Sequence, residues 1–289
     1  MRFRYFLTEY GAANFFLRCL RFGRLAGSQE LKVLVYHHIP VNESAQFVKQ
    51  IVFLHENFEI VEPDVFIRPE RYQDAVKPKI LITFDDGFKS QFNAAQAILS
   101  QYNIKALFFI PTGFVDQPDA DQARKYVAQN FFGCKITPPE VSPEMLPMTW
   151  GNIIALLSVG HTVGAHTVTH AVLKQIDNEV KMRHEIMAGG DRLQDRLGAP
   201  ITHFALPYGN INSFNQNALT IAAERYKYCH TTVRGINNLA EKQFLISRDP
   251  LASNEPIGFV KFVANNGFRF WYREEAKILK NFSIRQETV

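Results

Sequence analysis

The chain has 289 residues, 46% of them hydrophobic, which is enough to build one large domain with a sizeable core. Its formal net charge is only +4 and the basic residues are spread along the sequence, so nothing indicates a nucleic-acid partner. Three widely separated cysteines, Cys19, Cys134 and Cys229, exclude a C-x-x-C zinc motif, and we expect reduced thiols and a cytoplasmic location.

Residues 1–30 are predicted to be an amphipathic segment in which apolar clusters alternate with arginines. No apolar run reaches the length of a signal peptide, so we expect neither an export signal nor a membrane span. Two interpretations stay open: a helix packed on the rest of the fold, or a segment peripheral on the inner membrane surface. In the second, the lipid-facing residues are Phe15, Phe16, Leu17, Leu20 and Phe22.

Residues 31–289 form the predicted main domain, in which short apolar runs alternate with helical stretches. This alternation predicts an α/β fold with a parallel sheet, either doubly wound or closed into a barrel. The predicted strands are 32–36, 79–84, 106–110, 162–165 and 203–206, and the predicted helices are 44–57, 91–101, 149–158, 177–197 and 215–224.

Residues 116–147 interrupt this pattern with five prolines and weak periodicity. Connections of this length within a compact domain are often lids or binding loops. We interpret the stretch as an insertion over the functional site, with an excursion of no functional role as the alternative.

Two polar motifs follow predicted strands, at the edge where parallel α/β proteins build their sites. Asp85 and Asp86 are adjacent carboxylates that repel unless a cation or hydrogen-bond donors neutralise one of them, although Asp-Asp-Gly alone is also a common turn. His166 and His170 are four residues apart, and on a helical turn both could reach one metal ion. Taken alone, they could equally be surface or core histidines.

Two histidines with one carboxylate are a recurrent ligand set for catalytic zinc, with positions left for water and substrate. Such an ion lowers the pKa of bound water and polarises a carbonyl, as amide hydrolysis requires. A third motif, Pro207-Tyr208-Gly209, also follows a predicted strand, where its turn could aim a backbone N–H at an oxyanion. An ordinary Pro-Tyr-Gly turn is the alternative.

In this order TFDDG, HTVTH and FALPYG resemble the motifs of the polysaccharide deacetylases, the NodB-homology domain of carbohydrate esterase family 4. The resemblance extends from about residue 33 to residue 250. It implies a distorted (β/α)7 barrel that binds Zn²⁺, or another divalent ion such as Co²⁺ or Ni²⁺. The implied metal ligands are Asp86, His166 and His170.

The resemblance also implies that Asp85 is the general base, that the backbone N–H of Tyr208 binds the oxyanion, and that Pro207, Tyr208 and Gly209 contact substrate. Many members carry an arginine at the position of Ala205, and we interpret Arg248 as its substitute; the alternative is a surface ion pair with Asp249 or another acid.

No late Leu-x-His motif is present, because the chain after Pro250 contains no histidine. His37 or His38, following the first strand, is therefore our candidate for the general acid, with a structural cap of the strand as the alternative.

The predicted function is a metal-dependent deacetylase that acts on an N-acetyl or O-acetyl group of a bacterial surface polysaccharide or its lipid-linked precursor. An acetylated sugar or glycan is thus the expected partner. Two alternatives stay open, a metal-dependent amidohydrolase of a small non-sugar amide and an inactive glycan-binding module. A closed pocket with a fixed positive charge would favour the first of these.

Overall fold

The computed structural model describes residues 29–282, whose central feature is a curved and mainly parallel sheet. Its strands are β1 (Glu30–Tyr36), β2 (Glu59–Ile60), β3 (Lys79–Phe84), β4 (Leu107–Ile110), β5 (Thr162–Ala165), β6 (His203–Ala205), β7 (Tyr228–His230), β8 (Asn237–Asn238), β9 (Leu245–Ile246) and β10 (Asp249–Pro250). The order across the sheet is β10-β1-β3-β4-β5-β6-β7-β9, with β2 beside β3 and β8 antiparallel to β1.

The two ends of this sheet are consecutive in sequence, since only Ser247 and Arg248 separate β9 from β10. Strand β9 pairs with β7, while β10 pairs with β1 on the other side of the gap. Counting β9 and β10 as one interrupted strand, the sheet has seven positions in a nearly closed ring. The predicted distorted (β/α)7 barrel is confirmed.

The register of β1 and β3 brings their carboxyl ends together, because Tyr36 pairs with Phe84. Along β3, Ile80, Ile82 and Phe84 pack in the large core beneath the helices, whereas Leu81 belongs to a second cluster on the opposite face. Side chains alternate between the two faces of a strand. Continuing this alternation past the end of β3 directs the side chain of Asp85 to the same face as Leu81, towards the barrel axis.

Ten α-helices surround the barrel in residues 29–282, and most lie where the sequence predicts them. They are α1 (Ser44–Asn57), α2 (Lys89–Ala97), α3 (Thr112–Val115), α4 (Ala120–Tyr126), α5 (Trp150–Ser158), α6 (Glu179–Arg183), α7 (Gly189–Leu197), α8 (Gln216–Arg225), α9 (Ile257–Ala264) and α10 (Arg273–Asn281). Side-chain caps start four of them. The capping residues and the N–H groups from which they accept are Asp119 and Gln122, Thr149 and Asn152, Asn178 and Lys181, and Asn215 and Ala218.

The single helix predicted over residues 177–197 is divided in the structure. Helix α6 is followed by a π-helical turn, His184–Ala188, before α7 begins. Turns of this type inside helices are frequent at functional sites. Here the turn contains Glu185, a buried carboxylate.

The insertion 116–147 is ordered and contains α4 and a second π-helical turn, Val127–Phe131. It has its own apolar cluster, in which Tyr126 and Val127 pack with Phe88 and Phe114. The predicted amphipathic segment lies, except for its last two residues, outside the described residues. From Gln29 to Phe282, no helix combines the length and apolar character that a membrane span requires.

Candidate active site

Asp85 and Asp86 form a tight turn at the carboxyl end of β3. The Asp85 N–H donates to the Tyr36 carbonyl at 3.0 Å, which continues the pairing with β1. Asp86 and Gly87 then both adopt positive φ angles, 81° and 69°. Both carboxylates are buried, with exposed fractions of 2% and 6%, so this turn is no ordinary solvent-facing one.

Arg248 forms a bidentate ion pair with Asp85 inside the barrel. Its two terminal nitrogens lie 2.6 and 2.7 Å from the Asp85 carboxylate oxygens, and its Nε donates to the Thr231 carbonyl. The guanidinium is fully buried and stacks over the ring of Phe109. Burial alone would raise the pKa of Asp85, but the charge and hydrogen bonds of Arg248, together with the charges of His166 and His37, outweigh it and lower that pKa. Arg248 thus contacts Asp85, as predicted for the arginine that orients the base. The alternative, a surface ion pair of Arg248 with Asp249 or another acid, is wrong because the guanidinium is buried.

Asp86, His166 and His170 converge on one point beside Asp85. The Nε2 atoms of the two histidines lie 3.5 and 3.4 Å from the same Asp86 oxygen, Oδ1. That oxygen is buried and accepts no hydrogen bond in the described part of the chain. Burial raises the pKa of Asp86, but the contact with His166 and the positive charge that the neighbouring imidazoles carry in acid outweigh it, and the pKa falls to about 2.

The other ring nitrogen of each histidine is anchored to a main-chain carbonyl. His166 Nδ1 lies 2.8 Å from the Ala205 oxygen, and His170 Nδ1 lies 3.2 Å from the Asn130 oxygen. A carbonyl can only accept, so each Nδ1 carries the proton and each Nε2 presents its lone pair to Asp86. Metal-binding histidines are oriented by contacts of this kind. The three residues therefore fit a divalent cation.

The two histidines do not lie on a helical turn, so this part of the prediction is wrong. Residues 166–172 form a loop, and both Thr167 and His170 have a φ of 62°. Glu185 holds the loop, because its carboxylate accepts from the N–H groups of Val168 and Thr169 at 3.1 and 2.8 Å. Folding of the loop, and not helical periodicity, brings the imidazoles together.

The Pro207-Tyr208-Gly209 turn lies beside His170. Pro207 and Gly209 are buried, whereas the Tyr208 side chain is 41% exposed and its ring centroid lies 4.9 Å from that of His170. Gly209 has a φ of 62°, and a Cβ there would lie 2.6 Å from the Thr232 nitrogen, so the turn requires glycine. Within residues 29–282 the Tyr208 N–H donates to no protein acceptor and is available to a ligand.

His37 is exposed at the same edge, directly after β1, and its charge contributes to lowering the pKa values of both Asp85 and Asp86. His38 turns away from this edge, since its Nδ1 lies 2.9 Å from Ser90 Oγ and its ring contacts Phe88. Of the two candidates, only His37 contributes to the pKa values of the carboxylates.

Two supporting positions were not found from the sequence. Asn130 in the insertion supplies the carbonyl that fixes His170 and also accepts from the Tyr208 hydroxyl at 3.0 Å. Glu185 fixes the histidine loop from a helix. The role of Asn130 could not be predicted, because every residue has a main-chain carbonyl. Glu185 could have been noticed, because a glutamate on a largely buried helical face is unusual.

The family comparison gives one match, to the polysaccharide deacetylase model over residues 72–226. This span contains both aspartates, both histidines and Tyr208, and is narrower than the resemblance inferred from the motifs. His37 and Arg248 lie outside it. A comparison with curated protein sequences gives no match.

Several solved structures share the fold. Deacetylase PplD of Streptococcus pyogenes, in complex with acetate, has a TM-score of 0.61 and 22% identity, covering 81% of this chain and 97% of its own. A de-N-acetylase from Aggregatibacter actinomycetemcomitans has a TM-score of 0.61 and 17% identity, with 81% and 99% covered. IcaB from Ammonifex degensii has a TM-score of 0.62 and 20% identity, with 82% and 97% covered. Since the family model matches more than half of the 289 residues, this chain belongs to the polysaccharide deacetylase family.

Proposed function

We propose that this protein is a divalent-metal-dependent hydrolase that removes acetyl groups, N-linked in preference to O-linked, from a sugar of a bacterial surface polysaccharide or its lipid-linked precursor. The observation that carries the proposal is the buried Oδ1 of Asp86, which accepts no hydrogen bond in the described chain and faces two imidazole Nε2 atoms. A buried carboxylate oxygen without a partner is costly unless a ligand completes its environment.

Asp86, His166 and His170 would hold the ion, and Zn²⁺ fits this set best, with Co²⁺ or Ni²⁺ as substitutes. When bound, the ion lowers the pKa of water and polarises the acetyl carbonyl. The reaction is then water plus an acetamide giving a free amine and acetate.

Asp85 is the proposed general base, which takes a proton from the attacking water. Arg248 occupies both Asp85 oxygens with one hydrogen bond each, so a lone pair of the carboxylate stays available while its orientation is fixed. By holding Asp85 ionised, the guanidinium keeps the base in the form that accepts a proton.

The Tyr208 N–H is the proposed donor to the oxygen of the tetrahedral intermediate. His37 is the proposed proton donor to the departing amine, because it directly follows β1 and its charge influences the pKa values of Asp85 and Asp86. Exposure of His37 lets it exchange protons with solvent between turnovers.

Support for a sugar substrate comes from family membership, and support for the N-acetyl linkage from the name of the Aggregatibacter relative. The acetate in the Streptococcus relative agrees with the expected product. Tyr208, an exposed aromatic ring beside the site, offers a surface on which a sugar ring can stack.

The test is acetate release from a panel of N-acetylated and O-acetylated sugars, oligomers and lipid-linked sugars, together with small non-sugar amides. Wild type and Asp85→Asn are each stripped of metal and reloaded with zinc. Asp191→Asn, an exposed aspartate paired with Arg225, is the matched control. We expect zinc to restore release in wild type and the control but not in Asp85→Asn.

Release from the small amides alone would replace the glycan substrate by a small molecule. No release from any substrate, in protein that binds one zinc ion per chain, would favour a glycan-binding module. Failure of Asp86→Ala to lower zinc binding would contradict the assignment of the metal ligands.

A further inference from the structure

Two large aromatic side chains project from the turn that precedes α10. Phe270 is 70% exposed and its neighbour Trp271 is 59% exposed. Arg269 and Arg273 flank the pair and are exposed as well. Adjacent exposed aromatics are unusual on a globular surface and mark sites of interaction, and aromatic rings beside cations are typical of membrane-water interfaces.

The turn is held from beneath by other aromatic rings. Phe268 contacts Phe262 and Tyr272 with ring centroids 4.9 and 5.6 Å apart, and Arg234 lies over the Phe268 ring at 4.6 Å. Arg234 is in turn paired with the buried Asp249 of the barrel. The turn that carries Phe270 and Trp271 is therefore anchored to the barrel by these contacts.

A basic groove of about 1600 Å³ adjoins this turn, between α10 and the segment that contains β8. Its charged lining consists of six cations and two carboxylates. On α10, Arg273, Lys277 and Lys280 follow the i, i+4, i+7 spacing and share one side of the helix. Lys277 is partly neutralised by Glu274, but an excess of positive charge persists.

Gln29, the first described residue, is among the residues that line this groove. Residues 1–28 contain five arginines and one glutamate, so their formal charge of +4 equals that of the whole chain. The rest of the chain is thus balanced overall. Within residues 29–282, the excess positive charge of the groove and the two exposed aromatic residues lie at the same end of the barrel.

We propose that this end of the barrel docks on an anionic lipid bilayer, with Phe270 and Trp271 inserted among the head groups. The basic residues of the groove contact lipid phosphates. Each basic side chain near an anionic surface strengthens binding about fivefold, and several together give a stable peripheral association. The proposal does not depend on the reaction that the site performs.

The docking face lies opposite the candidate active site. Gln29 and Glu30 precede the body of β1, whereas His37 follows its other end. A strand of this length spans about 20 Å. A protein docked in this way directs its active site away from the bilayer, so of the two proposed substrates this docking favours the polysaccharide over the lipid-linked precursor.

The experiment is co-sedimentation of the full-length protein with vesicles of phosphatidylcholine, alone or mixed with phosphatidylglycerol. We expect binding to the mixed vesicles only, weakened by salt. Phe270→Ala/Trp271→Ala should lower the affinity about tenfold or more, since two aromatic anchors are lost. The matched control is Ile154→Ala/Val159→Ala, which removes two comparably exposed apolar side chains, 51% and 56%, from another helix and its end.

A second measurement is the emission of Trp271 in a Trp150→Phe background, which should shift to the blue with mixed vesicles. Equal binding to both kinds of vesicle, no binding to either, or an unchanged affinity of the Phe270/Trp271 variant would overturn the proposal. The proposal would also be overturned if the protein self-associated through this face, or if residues 1–28 occupied the groove, and the emission of Trp271 did not change on addition of mixed vesicles. Acetate release from a soluble substrate should be unchanged in this variant, which separates docking from catalysis.

Discussion

Arg248→Met tests whether the buried ion pair with Asp85 is as important as its geometry indicates. Methionine keeps much of the side-chain volume but removes the charge and the hydrogen bonds to the Asp85 carboxylate. Because both groups are fully enclosed, removing one partner leaves an uncompensated charge in the barrel. Such changes cost about 3–5 kcal/mol of unfolding free energy, a large fraction of the stability of an ordinary domain.

The assay is urea denaturation of metal-free protein, so that ion binding does not contribute to the measured free energy. Asp85→Asn/Arg248→Met should be more stable than Arg248→Met alone, because the unpaired carboxylate is gone. Arg183→Met is the matched control. Arg183 forms a bidentate ion pair with Glu224, at 2.6 and 2.9 Å, but both side chains are exposed to solvent. Its midpoint should hardly change. If Arg248→Met were as stable as the control, or the double variant were the least stable, the reasoning would be refuted.

Three further predictions concern His37, Tyr208 and His161. His37→Ala should lower kcat on an acetamide about a hundredfold but spare an activated acetate ester, whose leaving group needs no proton; equal losses on both would exclude the role of proton donor. Tyr208→Phe removes only the hydroxyl bond to Asn130, so kcat should stay near wild type because the main-chain N–H remains, and a loss as large as that of Asp85→Asn would contradict this. Burial and the charge of Lys105 lower the pKa of His161 from 6.5 to about 4, so its neutral form favours the fold above pH 6.5, and stability falls as the pH drops. His161→Asn, which can still accept from the Ala106 N–H, should flatten this acid slope by about 1.4 kcal/mol per pH unit in urea titrations, and an unchanged slope would rule out the assignment.

The long strands could be predicted because their residues carry the signal locally. All six residues of Lys79–Phe84 are buried, as expected for a strand covered on both faces, and Asp85 and Asp86 follow directly. The carboxylates could therefore be placed at the correct edge of the sheet. Helix starts were recognisable for a similar reason, since Thr149 and Asn215 are side-chain caps.

What could not be predicted depends on contacts between distant parts of the chain. Strands β9 and β10 have two residues each and exist only because β7 and β1 offer them free edges. The spacing of His166 and His170 is compatible with a helix, but Glu185 stabilises a loop there instead. Arg248 could be named as a candidate, yet its pairing with Asp85 depends on closure of the barrel.

Because the barrel closes through β9 and β10, the proposed active site is complete only after the late part of the chain has been synthesised. The proposed metal ligands Asp86, His166 and His170 all precede β9 in the chain, so a ribosome releases them well before Arg248. The next residue, Asp249, pairs with Lys32 at 2.6 Å, so the last strand returns to the first. A chain that stopped before this seam would retain all three proposed ligands and lack the cation that holds the base. The proposed base can therefore be oriented only after the seam has been synthesised.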